Sequence, residues 1–158
     1  MAEVILLGLV AIGALLLFKR SAQNKQQAAE NIDAGHAFLL KNAEDPDVVT
    51  TDSGLQYKIL QPGEGDVHPV ETDKVKVHYH GTLIDGRVFD SSVERGEPIS
   101  FGLNQVIHGW TEGVQLMVVG EKRRLFIPSE LAYGQGTAGI ITPGSTLIFD
   151  VELLAINP

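Results

Sequence analysis

The chain has 158 residues, 44% of them hydrophobic and 20% charged, with a formal net charge of -8 and no cysteine. That length holds one compact domain with a real core plus a short extra segment, and falls short of two full domains. The absence of cysteine excludes disulfides, thiolate metal sites and thiol nucleophiles. The acidic balance repels phosphate backbones, so nucleic acid is not an expected partner.

The N-terminus opens on VILLGLVAIGALLLF, residues 4–18, an unbroken apolar run closed by Lys19 and Arg20. As a helix the run spans about 22 Å, which Met1, Ala2 and snorkelling of the two cations extend toward a bilayer core of roughly 30 Å, enough for a thin or tilt-free span. Residues 1–20 are therefore expected to form a single-pass membrane anchor. A cleaved signal peptide is the first alternative, but Glu3 stands where a basic start is required, and Lys19-Arg20 where cleavage is expected. A buried core helix is the second, and it lacks a polar face at helical spacing. Because Lys19, Arg20 and Lys25 all follow the run, the flanking charge places the rest of the chain in the cytoplasm.

Residues 21–49 read as a helical tether. Polar helix formers dominate, the apolar set is sparse (Ile32, Phe38, Leu39, Leu40), and Asp45-Pro46-Asp47 makes a connector because proline biases the residue before it away from helix. A short helix with weak packing is expected.

From Thr50 the pattern becomes that of strands. LQYKIL (55–60) leads, followed by KVKVHYHGTLI (74–84), in which Val75, Val77, Tyr79 and Leu83 share one face and Lys74, Lys76, His78 and His80 the other. Asp85-Gly86 is a hairpin signal that returns the chain through RVFDSS. PISFGL (98–103) and KRRLFIP (122–128) read as strands, and STLIFDVELLAI (145–156) alternates Leu147, Phe149, Val151 and Leu153 against Ile148, Asp150 and Glu152. Between them VIHGWTEGVQLM (106–117) repeats Val106, Trp110, Val114 and Met117 on one helical face, with Asn104 as the expected N-cap and Gly120 as the stop. One short amphipathic helix buries its stripe only by lying across a twisted antiparallel sheet, which turns Trp110, the sole tryptophan, into that sheet.

Three constellations invite a chemical reading. His78 and His80 share a strand face, but no third ligand is placed nearby, and solvated strand histidines are the simpler account. Ser91-Ser92 has no nucleophile elbow or spaced His and Asp partners. The loop AYGQGTAG (132–139) is glycine-rich without the lysine of a phosphate cradle. What remains is a set of aromatic and branched residues beside loops, Tyr79, Phe89, Trp110, Tyr133, Ile140, Ile141 and Phe149, with a lone carboxylate, Asp90. Each taken alone reads as core; together they can line an apolar pocket with one or two polar groups.

VKVHYHGTLIDGRVFDSS (75–92), VIHGWTEGVQLMVVGEKRRLFIP (106–128), ELAYG (130–134) and GIITPGSTLIFDVELL (139–154) resemble, in order and spacing, the FKBP family of peptidyl-prolyl cis-trans isomerases. GHAFLLKNAE and TTDSGLQYKIL upstream are similar to its bacterial Mip-like branch. The resemblance covers residues 50–158 and implies an α+β fold: a strongly bent antiparallel β-sheet wrapped around one short α-helix, preceded by an N-terminal helix. It implies isomerisation of Xaa-Pro bonds without cofactor or metal, the same pocket serving in the alternative as a chaperone or binding module. A membrane scaffold is a third class, resting on the N-terminal run alone. Carried over residue by residue, Trp110 matches the pocket floor, Tyr79, Phe89, Val106, Ile107 and Phe149 the apolar walls, and Asp90 and Tyr133 the catalytic polar groups. Arg95 matches the partner of the aspartate, and Ile140 and Ile141 the flap. Ile99 stands where the family often has an aromatic residue, and the loop between Tyr133 and Gly139 is one residue shorter than in single-domain eukaryotic members. The partners implied are proline-containing polypeptide clients, macrolide inhibitors, and the membrane through residues 4–18. The chain is expected to be a monomer or weak dimer, because the dimerisation region of that branch is reduced here. The location expected is the bacterial inner membrane, with the domain cytoplasmic by flanking charge and periplasmic by analogy with anchored or secreted members.

Overall fold

The computed structural model describes the backbone of residues 2–158, with side chains from residue 14 onward. Helix α1 (Ala2–Asn42) leads into a seven-stranded antiparallel sheet: β1 (Val48–Thr50), β2 (Gln56–Gln61), β3 (Lys74–Leu83), β4 (Val88–Ser91), β5 (Ile99–Gly102), β6 (Lys122–Ile127) and β7 (Leu147–Ile156). Two short helices interrupt the strands, α2 (Ser92–Arg95) and α3 (His108–Gln115). The strand order is β1-β2-β6-β7-β3-β4, with β5 also on β3. This is the α+β architecture expected, with β1 as the one strand that the sequence patterns do not announce.

The bend of the sheet has local causes. β3 pairs with β7 along its whole length, but its other edge is split, with β5 on Lys74–Val77 and β4 on His80–Thr82. Register shifts fall between Gly81 and Thr82, between Lys76 and Val77, and between Ile59 and Gln61. Each extra residue raises the local twist and curls the sheet toward its apolar face. The hairpin at Asp85-Gly86 forms as a three-residue loop: Gly86 takes φ 91°, its N–H bonds Leu83 O at 3.0 Å, and Leu83 N–H bonds Arg87 O at 2.9 Å. That is a type I turn followed by a left-handed glycine, and it leaves Asp85 unstrained.

Alternation sets the core. Leu147, Phe149, Val151 and Leu153 are buried, as are Val75, Val77, Tyr79 and Leu83, all in one cluster with Trp110, Val114 and Met117. α3 lies on this face closely because two of its residues are glycines. A β-carbon on Gly109 would stand 2.5 Å from Ile127 Cγ2, and one on Gly113 2.9 Å from Leu125 Cδ1. The ends of α3 differ from expectation. Asn104 lies in a separate 3₁₀ turn, Leu103–Gln105, and Ile107, with no capping side chain, precedes the helix. α3 closes at Leu116, well before Gly120, whose φ of 87° serves instead the turn into β6. Thr111 Oγ1 donates to Leu103 O at 2.7 Å and so fastens the turn to the helix.

The tether also departs from expectation. α1 is one continuous helix, and from Ala28 it packs on the domain: Ala28, Gly35 and Leu39 are buried, Asn31, Ile32, Phe38 and Asn42 half-buried, a three- and four-residue spacing that makes one face. Gln56 Nε2 donates to Leu39 O at 2.9 Å, Asn42 Nδ2 to Gln56 Oε1 at 2.8 Å, and the rings of Phe38 and Phe126 sit 6.1 Å apart. Small side chains permit the contact, since a β-carbon on Gly35 would stand 2.2 Å from Thr146 Oγ1. Leu40 faces solvent instead, and residues 14–27 are exposed throughout. Of the expected anchor, residues 4–13 lie outside those whose side chains are described; among the described residues no helix is long and apolar enough to cross a membrane.

Candidate functional site

A cavity of about 650 Å³ opens between α3, the bent sheet and the loop after β6. Its floor is Trp110, 4% exposed, held by three aromatic neighbours. Tyr79 meets the indole edge-on at 5.3 Å and 84° and Phe149 at 5.1 Å and 86°, while Phe101 lies tilted against it at 5.3 Å and 55°. Edge-to-face contacts of this kind add roughly 0.5–1.5 kcal/mol beyond area burial and fix the ring's orientation. Trp110 Nε1 has no hydrogen-bond partner among the described residues, so packing alone orients the indole. Phe89 stands edge-on to Phe149 at 5.2 Å; this approach needs Gly81, where a β-carbon would stand 2.6 Å from Phe89 Cζ.

One end of the cavity is polar. Tyr79 Oη donates to Asp90 Oδ2 at 2.5 Å, Arg95 Nη1 donates to Asp90 Oδ1, and Arg95 Nη2 donates to Tyr79 Oη at 3.1 Å. Arg95 reaches this position because α2 is a capped turn: Ser91 Oγ accepts Glu94 N–H at 3.1 Å, and Gly96 closes the turn at φ 70°. Burial pushes the Asp90 carboxyl up, but the hydrogen bonds from Tyr79 and Arg95, the Arg95 charge and the Ser91 N–H together outweigh it and leave the group below the ordinary aspartate range. Burial, with the Asp90 carboxylate beside it, pushes the Tyr79 phenol up, so the phenol stays a donor. Asp90 therefore stays ionised as pH falls through the range where a free aspartate protonates. Whatever stability its pairing contributes is present above that range and lost only as pH falls through the lower folded value. A ¹³C carboxyl titration should give Asp90 a midpoint below that of a free aspartate, and Arg95→Ala should raise it.

The histidines and serines singled out in the sequence form a splint behind β3. Ser92, fully buried, takes Tyr79 N–H at 2.7 Å and meets His78 Nδ1 at 2.6 Å, while Ser91 Oγ meets His80 Nδ1 at 2.8 Å. Among the described residues no group of three or more potential ligands is placed to hold a metal ion.

Of the residues expected at the site, Tyr79, Phe89, Asp90, Ile99, Val106, Ile107, Trp110, Tyr133, Ile141 and Phe149 line the cavity. Arg95 lies one bond back, and Ile140 is exposed and outside the lining, while its neighbour Ile141 is buried in it. Sequence reasoning missed Phe101, Gln105, Ala138 and Gly139. Phe101 was within reach, since it stands two residues from Ile99 on one strand and so on the same face.

The model of the FKBP-type peptidyl-prolyl cis-trans isomerase matches residues 65–154, which hold every lining residue of this cavity. The chain belongs to that family. A second model, of the domain amino-terminal to FKBP-type peptidyl-prolyl isomerases, matches residues 11–59, so α1 from residue 11, β1 and the start of β2 are also part of the family pattern. The chain is 56% identical over 136 residues, 86% of its length, to the FKBP-type peptidyl-prolyl cis-trans isomerase FkpA of Aeromonas hydrophila, covering 50% of that protein. It is 47% identical over 143 residues to the outer membrane protein MIP of Legionella longbeachae, covering 90% of this chain and 61% of that one. The crystal structure of FkpA from Escherichia coli superposes with a TM-score of 0.91 at 45% identity, over 98% of this chain and 72% of that one. The FKBP-type chain thus spans about half to three-fifths of the two curated relatives named.

Proposed function

We propose that the chain accelerates rotation about Xaa-Pro bonds in client polypeptides at the bacterial envelope, with residues 4–18 as its attachment. The observation that carries the catalytic reading is the floor of the cavity: a flat indole held by two edge-on rings and a third that is tilted, with a single ionised carboxylate at the rim. A planar X-Pro amide rotates over a barrier of about 18–20 kcal/mol because resonance is lost on the way. No bond breaks, so the task requires no nucleophile. The twisted transition state has less charge separation than the planar amide, and an apolar pocket therefore favours it over the ground state. Trp110, Phe149, Val106, Ile107 and Ile141 supply that environment for the pyrrolidine ring. Asp90 and Tyr133 are the catalytic polar groups in this reading: the Asp90 carboxylate, held by Tyr79 and Arg95, orients the substrate dipole, and Tyr133 at the rim holds a carbonyl in register. A millionfold gain needs roughly 8 kcal/mol of differential stabilisation.

The envelope reading is supported by the apolar run ended by Lys19 and Arg20, and by the name of the Legionella relative. Catalysis is tested by NMR exchange on a short Xaa-Pro peptide. The full chain should speed cis-trans exchange at substoichiometric concentration, and Asp90→Ala should slow it. A rate equal to that of buffer overturns the reading, and suppression of client aggregation without exchange replaces it with a binding module. Carbonate extraction that frees the chain from membranes overturns the attachment.

A further inference from the structure

The rim of the cavity belongs to the glycine-rich loop between β6 and β7. Tyr133, Ala138, Gly139 and Ile141 line the opening, and Gly134, Gly139 and Gly144 all adopt positive φ (57°, 56° and 76°), so the segment carries the conformational freedom of glycine at three points. Its own hydrogen bonds form a small closed unit: Ala138 and Ile141 exchange two, and Gly144 N–H bonds Gly134 O at 2.8 Å. The C-terminal foot of that unit is fastened from outside by α1. Asn31 Nδ2 donates to Thr142 Oγ1 at 2.9 Å and to Pro143 O at 2.8 Å. Gly144 rests on the helix so closely that a β-carbon there would stand 2.5 Å from Ala28 O, and Gly35 does the same against Thr146. Thr142 directly follows Ile141, which is buried in the cavity wall.

We propose that Asn31 is a positioning residue for the prolyl pocket: it hooks the foot of the rim loop onto α1, so that the N-terminal helix sets the pocket's affinity for substrate. The chemistry is that of a side-chain amide supplying both of its donors to one turn, one to a hydroxyl and one to the carbonyl of a buried proline. Without the hook the loop samples more conformations, the competent one is a smaller fraction, and apparent affinity falls by that fraction. This rests on the isomerase reading only for the word substrate; the coupling of helix to pocket is a statement about binding.

The experiment uses the full chain and a short Xaa-Pro peptide. Binding is followed through the fluorescence of Trp110, the sole tryptophan, and turnover by NMR exchange. Asn31→Ala and the nearly isosteric Asn31→Asp, which lacks the donors, should each weaken binding about three- to tenfold and raise KM alike, with kcat within about twofold. Thr142→Val, which removes one of the two acceptors, should show a smaller loss. Leu40→Ala, exposed on the same helix, should change nothing. Folded Asn31 variants with wild-type affinity overturn the proposal, as does a loss of affinity that merely tracks the unfolded fraction on warming. If the wild type binds peptide without accelerating exchange, the isomerase reading falls, and the binding series still decides the hook.

Discussion

Glu121→Ala will lower the unfolding free energy by about 3–5 kcal/mol, read from urea unfolding at neutral pH. Glu121 and Arg123 are buried together, with side chains 5% and 9% exposed. Glu121 Oε1 accepts Arg123 Nε–H at 2.7 Å and Oε2 accepts Val118 N–H at 2.9 Å. The guanidinium is further covered by the Tyr57 ring, 4.4 Å from its centroid, and Arg123 Nη1 has no partner among the described residues. Truncating the glutamate leaves a buried cation that cannot shed its proton, and an amide of the turn before β6 without its acceptor. For a domain of ordinary stability, about 5–15 kcal/mol, that is a large share. Replacing both residues by Met should cost much less than Glu121→Ala, because the penalty lies in the uncompensated charge and not in the loss of the pair. A double variant as unstable as the single would show that the pair's own attraction holds this corner of the fold.

What could be read from the sequence divides along a physical line. β7 was legible apart from a start placed two residues early, because along most of it one face is buried and the other is half-exposed, so alternation records the environment directly. The docking of α1 was not. Its packed face mixes Ile32, Phe38 and Leu39 with Ala28, Asn31 and Gly35, residues that carry almost no hydrophobic signal, while Leu40, as apolar as its neighbour Leu39, points to solvent. Close packing of small residues is a matter of shape, which a hydropathy pattern does not encode. The ends of α3 were misplaced for a related reason. Asn104 is a good cap by residue type, yet the 3₁₀ turn it occupies is set by Thr111 reaching back to Leu103, a tertiary constraint. At the site, the cage around Trp110 came from the family resemblance, but Phe101 followed from strand period alone and was passed over.

Trp110→Leu should separate the two roles of the one residue that is both core and pocket floor. Removing the indole deletes the surface on which Tyr79, Phe101 and Phe149 rest, and the space left is only partly refilled by leucine. By analogy with large-to-small core changes, Trp110→Ala should cost about 3–5 kcal/mol of stability and Trp110→Leu a smaller part of it. On catalysis the expectation is sharper. The pocket works by presenting a flat, dry surface to a ring that must turn over it, and a branched aliphatic chain keeps the dryness while losing the flatness. At low temperature, where Trp110→Leu remains folded, kcat/KM should fall at least about tenfold, which is about 1.4 kcal/mol of transition-state stabilisation. Trp110→Phe, which keeps a planar ring, should fall less at equal folded fraction. If Trp110→Leu and Trp110→Phe lose activity equally once corrected for folding, planarity is not what the floor contributes, and the ring is present for its volume. The two outcomes differ in kcat/KM and not in thermal midpoint, so folding and catalysis can be read from the same pair of proteins.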